Sequence, residues 1–351
     1  MTQPIDRSNA TIAHDPGRRR WLGWMAGSGL ALAGLAAVPE VRVFAQQVQD
    51  FIEGPPMPDI APRQLSPHVW MIYSKDGFPN RDNQGMMANI VFVVTSRGVV
   101  VLDSGASLQI GQMAIRMIGR VTPQPVVAVF NSHYHGDHWL GNHAFVEAYG
   151  ADLPIHALAH TREQIAGYEG SLWRSLMERW TNQATMGTKV VPPNRTVAHG
   201  QVFEFGDVTL RMHHYGRAHT PSDLCVEVVQ DRVTHVGDIA MENRIANIDD
   251  GSYPGTFKYF DALKRAAGEQ LWVPGHGHGR KDLLDTYGTF LQGIWDACVQ
   301  AVQEGVPLDG AKALVLKDPR VAARAATMDG FESNIGKYTS LAYLEAEKEA
   351  F

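Results

Sequence analysis

The sequence predicts an α/β fold of two mixed sheets flanked by helices. Three features carry that expectation. Short apolar runs rich in Val and Ile recur at strand length. Segments with helical spacing separate the later runs. A strand meander followed by strands alternating with helices occurs twice, which suits helices layered on sheets.

The elements follow in order. After a proline-rich lead-in from Gln46 to Pro67, His68–Tyr73 reads as a strand and Gly77–Asn83 as a loop of turn residues. Ile90–Val94 and Val99–Leu102 are β-branched strands joined across Ser96-Arg97-Gly98. Ile110–Arg120 has helical spacing, Val126–Phe130 is a buried strand and Pro154–Ala157 is another. Residues 161–185 read as one helix, with Trp173, Leu176, Met177 and Trp180 at helical spacing; the core is the favoured place for both tryptophans and the lining of a lid the alternative. Hairpins turn at Gly206-Asp207 and at Gln230-Asp231-Arg232. Phe257–Ala267 is a helix, Leu271–Val273 a strand, and 282–304 a long helix. The remainder is helical, with breaks near Pro307 and Pro319.

Composition excludes several classes. The 351 residues are 44% hydrophobic and 19% charged, which is ordinary for a packed protein and unlike a disordered one. One apolar run approaches spanning length, so a multi-span membrane protein is excluded. A net charge of −6 lacks the basic footprint of a nucleic-acid binder. Two cysteines, Cys225 and Cys298, cannot build a disulfide scaffold.

Residues 1–45 read as an address. A basic stretch, Arg18-Arg19-Arg20-Trp21-Leu22, precedes the glycine-laced apolar run Met25–Val38 and a small residue, Ala45, at a plausible cleavage point. The run resembles a twin-arginine export signal. The resemblance implies a periplasmic or secreted product, exported folded by the twin-arginine machinery and free of stable membrane insertion after cleavage. A single membrane anchor is the other reading. The expected organisation is a signal over 1–45, an extended lead-in over 46–67, a main domain over 68–305 and a helical C-terminal extension packed on it over 306–351.

The strand at 126–130 runs directly into Asn131-Ser132-His133-Tyr134-His135-Gly136-Asp137-His138. Four nitrogen or oxygen donors of this type, so close together, suit zinc or iron. His133 and His135 lie on one side of an extended segment and can share one ion, while Asp137 and His138 lie past a glycine and can face a second. Burying four such side chains without a partner costs several kcal/mol, roughly, so packing does not explain them. Three further candidates sit where strands end: His219, Asp238 in Val236-Gly237-Asp238, and His276 in Pro274-Gly275-His276.

The pattern His-x-His-x-Asp-His, then His, Asp and His, resembles the metallo-β-lactamase superfamily over roughly residues 68–300. The resemblance implies an αββα sandwich with the site on one edge between the sheets. It implies one metal on His133, His135 and His219, a second on Asp137, His138 and His276, and Asp238 bridging both with a water or hydroxide. Asp137 and Asp238 are then the expected catalytic carboxylates, and Asp103 orients a ligand histidine. Two zinc ions are the implied cofactors, with iron or manganese as alternatives. Tyr134, Asn243 and Arg244 are candidate substrate or supporting residues, and Met86, Met87 and the 77–85 loop a flap.

Asp238 stands where cysteine-containing β-lactamases carry Cys, and His135 where di-iron flavoprotein reductases carry Glu. The set is similar to hydroxyacyl-thioester hydrolases of the glyoxalase II type and to lactonases. Asn83-Gln84-Gly85 and Asp250-Gly251-Ser252-Tyr253 are also similar to periplasmic zinc hydrolases associated with quinoprotein and sulfur-oxidation systems. The expected activity is dinuclear zinc hydrolysis of a small-molecule thioester, lactone or related ester. A mononuclear Fe(II) persulfide dioxygenase, a β-lactam hydrolase and a non-catalytic metal-binding module are the competing readings.

Overall fold

The computed structural model describes residues 52–75, 77–245 and 248–350; the expected signal over 1–45 lies outside the described residues. The elements, in chain order, are β1 (Arg63–Gln64), β2 (Val69–Ile72), β3 (Ile90–Thr95), β4 (Gly98–Leu102), α1 (Leu108–Val121) and β5 (Val126–Phe130). Then come α2 (Gly136–Trp139), α3 (Asn142–Tyr149), β6 (Ile155–Leu158), α4 (Ala159–Ala166), α5 (Tyr168–Trp180) and β7 (Arg195–Val197). The rest are β8 (Val202–Phe205), β9 (Val208–His213), β10 (Cys225–Val228), β11 (Val233–Gly237), α6 (Tyr253–Ala267), β12 (Leu271–Pro274), α7 (Leu283–Gln303), α8 (Leu308–Lys317), α9 (Pro319–Ala325) and α10 (Phe331–Ala350).

Strands β1 to β7 form one sheet in sequence order, antiparallel up to β4 and parallel from there to β7. The second sheet has the order β12-β11-β10-β9-β8, antiparallel except for the parallel pair β11–β12. Both sheets are mixed, as the sequence predicts.

Strand alternation explains the layers. Val91, Val93, Val100, Leu102, Ala128 and Phe130 point from the first sheet into a cluster with Val208, Leu210, Met212, Val226 and Val273 of the second. Their alternate neighbours Ile90, Phe92, Val99, Val101 and Val129 face the other way, against Ile110, Met113, Ala114 and Met117 of α1. On the outer side of the second sheet, Cys225, Val236 and Trp272 pack with Tyr259, Leu263, Phe290, Ile294 and Tyr338 from α6, α7 and α10. The result is helix, sheet, sheet, helix. Strands buried on both faces need apolar residues at every position, and β4 reads Gly-Val-Val-Val-Leu.

Helix termini follow local chemistry. Ser107 caps α1 by accepting from Ile110 N at 3.2 Å, and Ser252 caps α6 by accepting from Gly255 N at 3.1 Å. The expected helix over 161–185 is instead two, because the chain turns at Gly167, and it ends at Trp180. Strand β7 was not expected, being short and mostly exposed. Both cysteines are buried and free. Among the described residues no helix is long and apolar enough to cross a membrane.

Candidate metal centre

The centre sits where the strands of both sheets end on one edge. Backbone bonds stitch that edge: Leu224 N donates to Ser132 O at 2.8 Å, Gly275 N to Gly237 O at 2.8 Å, and Asn89 N to Gly275 O at 2.7 Å. The Asn89 amide continues the stitch, donating to Pro274 O at 3.0 Å and Gly277 O at 2.7 Å. These bonds place the loops after β5, β11 and β12 beside one another.

All seven expected donors meet there. The ligand atoms of His133, His135 and His219 lie within 4.8 Å of one another, as do those of Asp137, His138 and His276, and those of His133, His138 and Asp238. His219 Nε2 and His135 Nδ1 face each other at 3.0 Å. Asp238 Oδ2 is 3.2 Å from His276 Nε2, 3.4 Å from His138 Nε2, 3.7 Å from His219 Nε2 and 4.0 Å from His133 Nε2. That carboxylate therefore reaches both triads. Asp137 Oδ2 faces only the second, at 3.4 Å from His138 Nε2 and 3.3 Å from His276 Nε2.

The donor set fits a pair of cations. His133 Nε2, His138 Nε2 and Asp238 Oδ1 are buried without a hydrogen-bond partner, an arrangement native proteins rarely tolerate unless another group completes it. The space is shaped to the same end. A Cβ on Gly275 would run into Asp238 Oδ1 and sit 2.7 Å from His138 Cε1, so the backbone passes there only as glycine.

Electrostatics divide the histidines. Burial, the largest influence, holds His133, His135 and His219 below the usual imidazole range, His219 at about 3, so these rings are neutral and offer lone pairs. Burial also opposes protonation of His138 and His276. There the facing carboxylates prevail, Asp137, Asp238 and Asp103 at His138, and Asp238 foremost at His276. Burial would push Asp137 and Asp238 up, yet the same imidazoles hold both well below the carboxylate range.

A hydrogen-bond frame sets the rings. Asp103 Oδ2 accepts from His138 Nδ1 at 2.8 Å and from the Ser132 hydroxyl at 2.8 Å, while Oδ1 accepts from Ser132 N at 2.7 Å. The Ser132 proton is thereby committed, so its oxygen accepts from His133 Nδ1 at 3.0 Å. Each bond turns the ring's Nε2 toward the centre. His276 Nδ1 donates to Met87 O at 2.7 Å with the same effect. Ser132, Asn89 and the Met87 carbonyl escape sequence reasoning; the adjacency of Ser132 to His133 is the one signal that pointed at any of them.

The remaining expected residues divide. Tyr134 is buried and donates to Asp250 Oδ2 at 2.8 Å. Arg244 is buried, donates to Gly77 O at 3.1 Å, and after burial and Asp238 is the next influence on His276. Asn243 is exposed, and its carbonyl accepts from Asp329 N. Trp173 is half-buried, packed against the core on the α1 side of the first sheet as expected, and its ring also lies 5.0 Å from that of His135. The loop before Met86 is held by Asn83, whose side chain accepts from Gly85 N at 2.9 Å.

Comparison with known proteins agrees with this geometry. Residues 84–303 match the model of the metallo-beta-lactamase superfamily. A metallo-beta-lactamase type 2 from Bacillus sp. (strain 170) is 25% identical over 248 residues, which cover 68% of this chain and 85% of that protein. An atrochrysone carboxyl ACP thioesterase from Aspergillus chevalieri is 23% identical over 226 residues, 64% of this chain and 60% of that protein's length. The solved metallo-beta-lactamase from Pontibacter korlensis shares the fold at a TM-score of 0.53 and 20% identity, covering 66% of this chain and 98% of that one. With the family model spanning both donor triads, the chain belongs to the metallo-beta-lactamase superfamily and is a metal-dependent hydrolase.

Proposed function

We propose that this protein is a dinuclear zinc hydrolase of thioesters, lactones or related esters, working in the periplasm. The observation that carries the reading is Asp238, whose Oδ2 lies within 4.0 Å of ligand nitrogens from both triads. An oxygen donor there, together with imidazoles and Asp137, makes a hard, all nitrogen and oxygen site suited to zinc. The arginine run at 18–20 supports export.

His133, His135 and His219 would hold one ion, Asp137, His138 and His276 the other, with Asp238 between them. Bound there, a divalent pair lowers the pKa of coordinated water toward neutrality and polarises an acyl carbonyl. The chain's own part is positional. Asp103 keeps the His138 proton on Nδ1, Ser132 keeps the His133 proton on Nδ1, and Met87 keeps that of His276 on Nδ1. Asp137 and Asp238 bring negative charge that would offset the cations, Asp137 at the second triad and Asp238 within reach of both.

Hydrolysis of β-lactams is the second reading, favoured by the relative from Bacillus sp. (strain 170) that matches over 85% of its length. Metal analysis of freshly purified protein, followed by a panel of thioesters, lactones and β-lactams, separates the readings. Two zinc ions per chain and turnover of thioesters or lactones support the proposal. One iron with oxygen uptake on a persulfide overturns it, and β-lactam turnover alone selects the second reading.

A further inference from the structure

The loop between β9 and β10 carries His219, and its two ends meet at one hydroxyl. Tyr259 of α6 is fully buried, and its hydroxyl donates to the Asp223 carbonyl at 2.9 Å and to the His213 carbonyl at 3.0 Å. His214 Nδ1 donates to the same Asp223 carbonyl at 2.9 Å. Asp223, seated in this way, reaches back along the loop. Its carboxylate accepts from Thr220 N at 2.8 Å and from the Thr220 hydroxyl at 2.7 Å. Thr220 is the residue after His219.

The segment leading into α6 holds the residues before His219. Ser252 N donates to Ala218 O at 2.8 Å, and Arg217 Nε donates to Asp250 O at 2.6 Å. A Cβ on Gly255 would run into the Arg217 carbonyl, so the first turn of α6 comes this close only as glycine. Asp250 also reaches the other two donors of the triad, because its Oδ2 accepts from Tyr134, which stands between His133 and His135. Residues 250–259 thus bond to the chain beside all three donors of the first triad. The second triad is held from elsewhere, His138 by Asp103 and His276 by Met87.

The geometry points to positioning residues for one ion of the pair: Asp250 and Tyr259 set how tightly His133, His135 and His219 hold their cation. The inference rests on the dinuclear reading and makes its two sites separable. Donors fixed in place before the ion arrives lose less freedom on binding it, so a loop pinned at both ends raises affinity without touching the metal.

The test is calorimetric titration of the metal-free full chain with zinc. His219→Ala and His276→Ala assign the two binding steps to their triads. Tyr259→Phe keeps the ring and removes the hydroxyl; it should weaken the first-triad step about tenfold and leave the second unchanged. Asp250→Ala, at an exposed position, should weaken the same step. Asp250→Asn keeps an acceptor for the Tyr134 hydroxyl and should retain the affinity. Both Asp250 variants lose the carboxylate, so that rescue separates geometry from charge. Tyr343→Phe, on α10, removes a hydroxyl that donates to Val306 O at 3.0 Å and should leave both steps unchanged.

Binding steps unmoved by His219→Ala overturn the dinuclear reading and the inference with it. A step lost in His219→Ala but kept at full affinity in Tyr259→Phe and Asp250→Ala overturns the inference alone. Equal weakening of both steps in those variants, or the same weakening in Tyr343→Phe, marks a general loosening of the fold and also overturns it. If Tyr259→Phe does not fold, the two Asp250 variants decide the matter by themselves.

Discussion

Asp103 Oδ2 lies 2.8 Å from His138 Nδ1, and both side chains are withdrawn from solvent. Through Ser132 the same carboxylate also reaches His133. One anion thus orients a donor in each triad. Asp103 has φ 58°, in the left-handed region, which Asn adopts more readily than most other residues. Asp103→Asn keeps the backbone and removes the charge. Metal affinity should fall about 10–100-fold, read by competition against a chromogenic chelator.

Gly275→Ala removes no donor, yet its methyl group collides with Asp238 Oδ1 and presses on His138. The expected outcome is loss of metal from the centre with the circular dichroism of the fold retained. Full metal content in this variant contradicts the close approach described above.

Asp238→Ala takes away the group common to both triads. Hydrolysis should fall on the order of 10³-fold or more, and bound metal should drop below the wild-type stoichiometry. Chelation of the wild-type protein should lower its thermal midpoint. Saturation at 100 times the dissociation constant is worth about 2.7 kcal/mol per ion, a shift of about 5 °C in a chain of this size. Calorimetric scans with and without chelator check the value.

His156 gives a pH dependence away from the metals. Its ring stacks on Phe130 at 4.6 Å and meets Phe203 edge-on at 5.0 Å. Burial first, and Arg195 second, bring it from 6.5 down to about 4. Between those values the folded protein binds fewer protons at this site than the unfolded chain, so stability falls as pH is lowered through that window. His156→Phe keeps the packing and removes the titrating nitrogen. Denaturant midpoints measured from pH 7 to pH 4 should decline less in the variant.

The parts legible in the sequence are those with local causes. Val126–Phe130 is a strand of five consecutive apolar residues, and His133 to His138 lie together in one stretch. His219, Asp238 and His276 were legible because each follows a strand. The parts that were not legible depend on distant partners. Met87 serves His276 through a main-chain carbonyl, which no side-chain pattern encodes. Trp173 keeps helical spacing whether it touches the core, the centre or both, so periodicity showed its core packing and not its approach to His135. Gly167 interrupts a pattern that would otherwise run on, and the break shows only where α4 and α5 part.

Each triad draws on both sheets. His133 and His135 come from the first and His219 precedes a strand of the second, while His276 follows β12. Cation capture is therefore a late event in the life of the chain. During synthesis neither triad is complete until the second half has emerged, and the last donor arrives only after β12. A loaded second triad is in this sense a receipt for a finished sandwich, since polypeptides truncated before that strand lack His276.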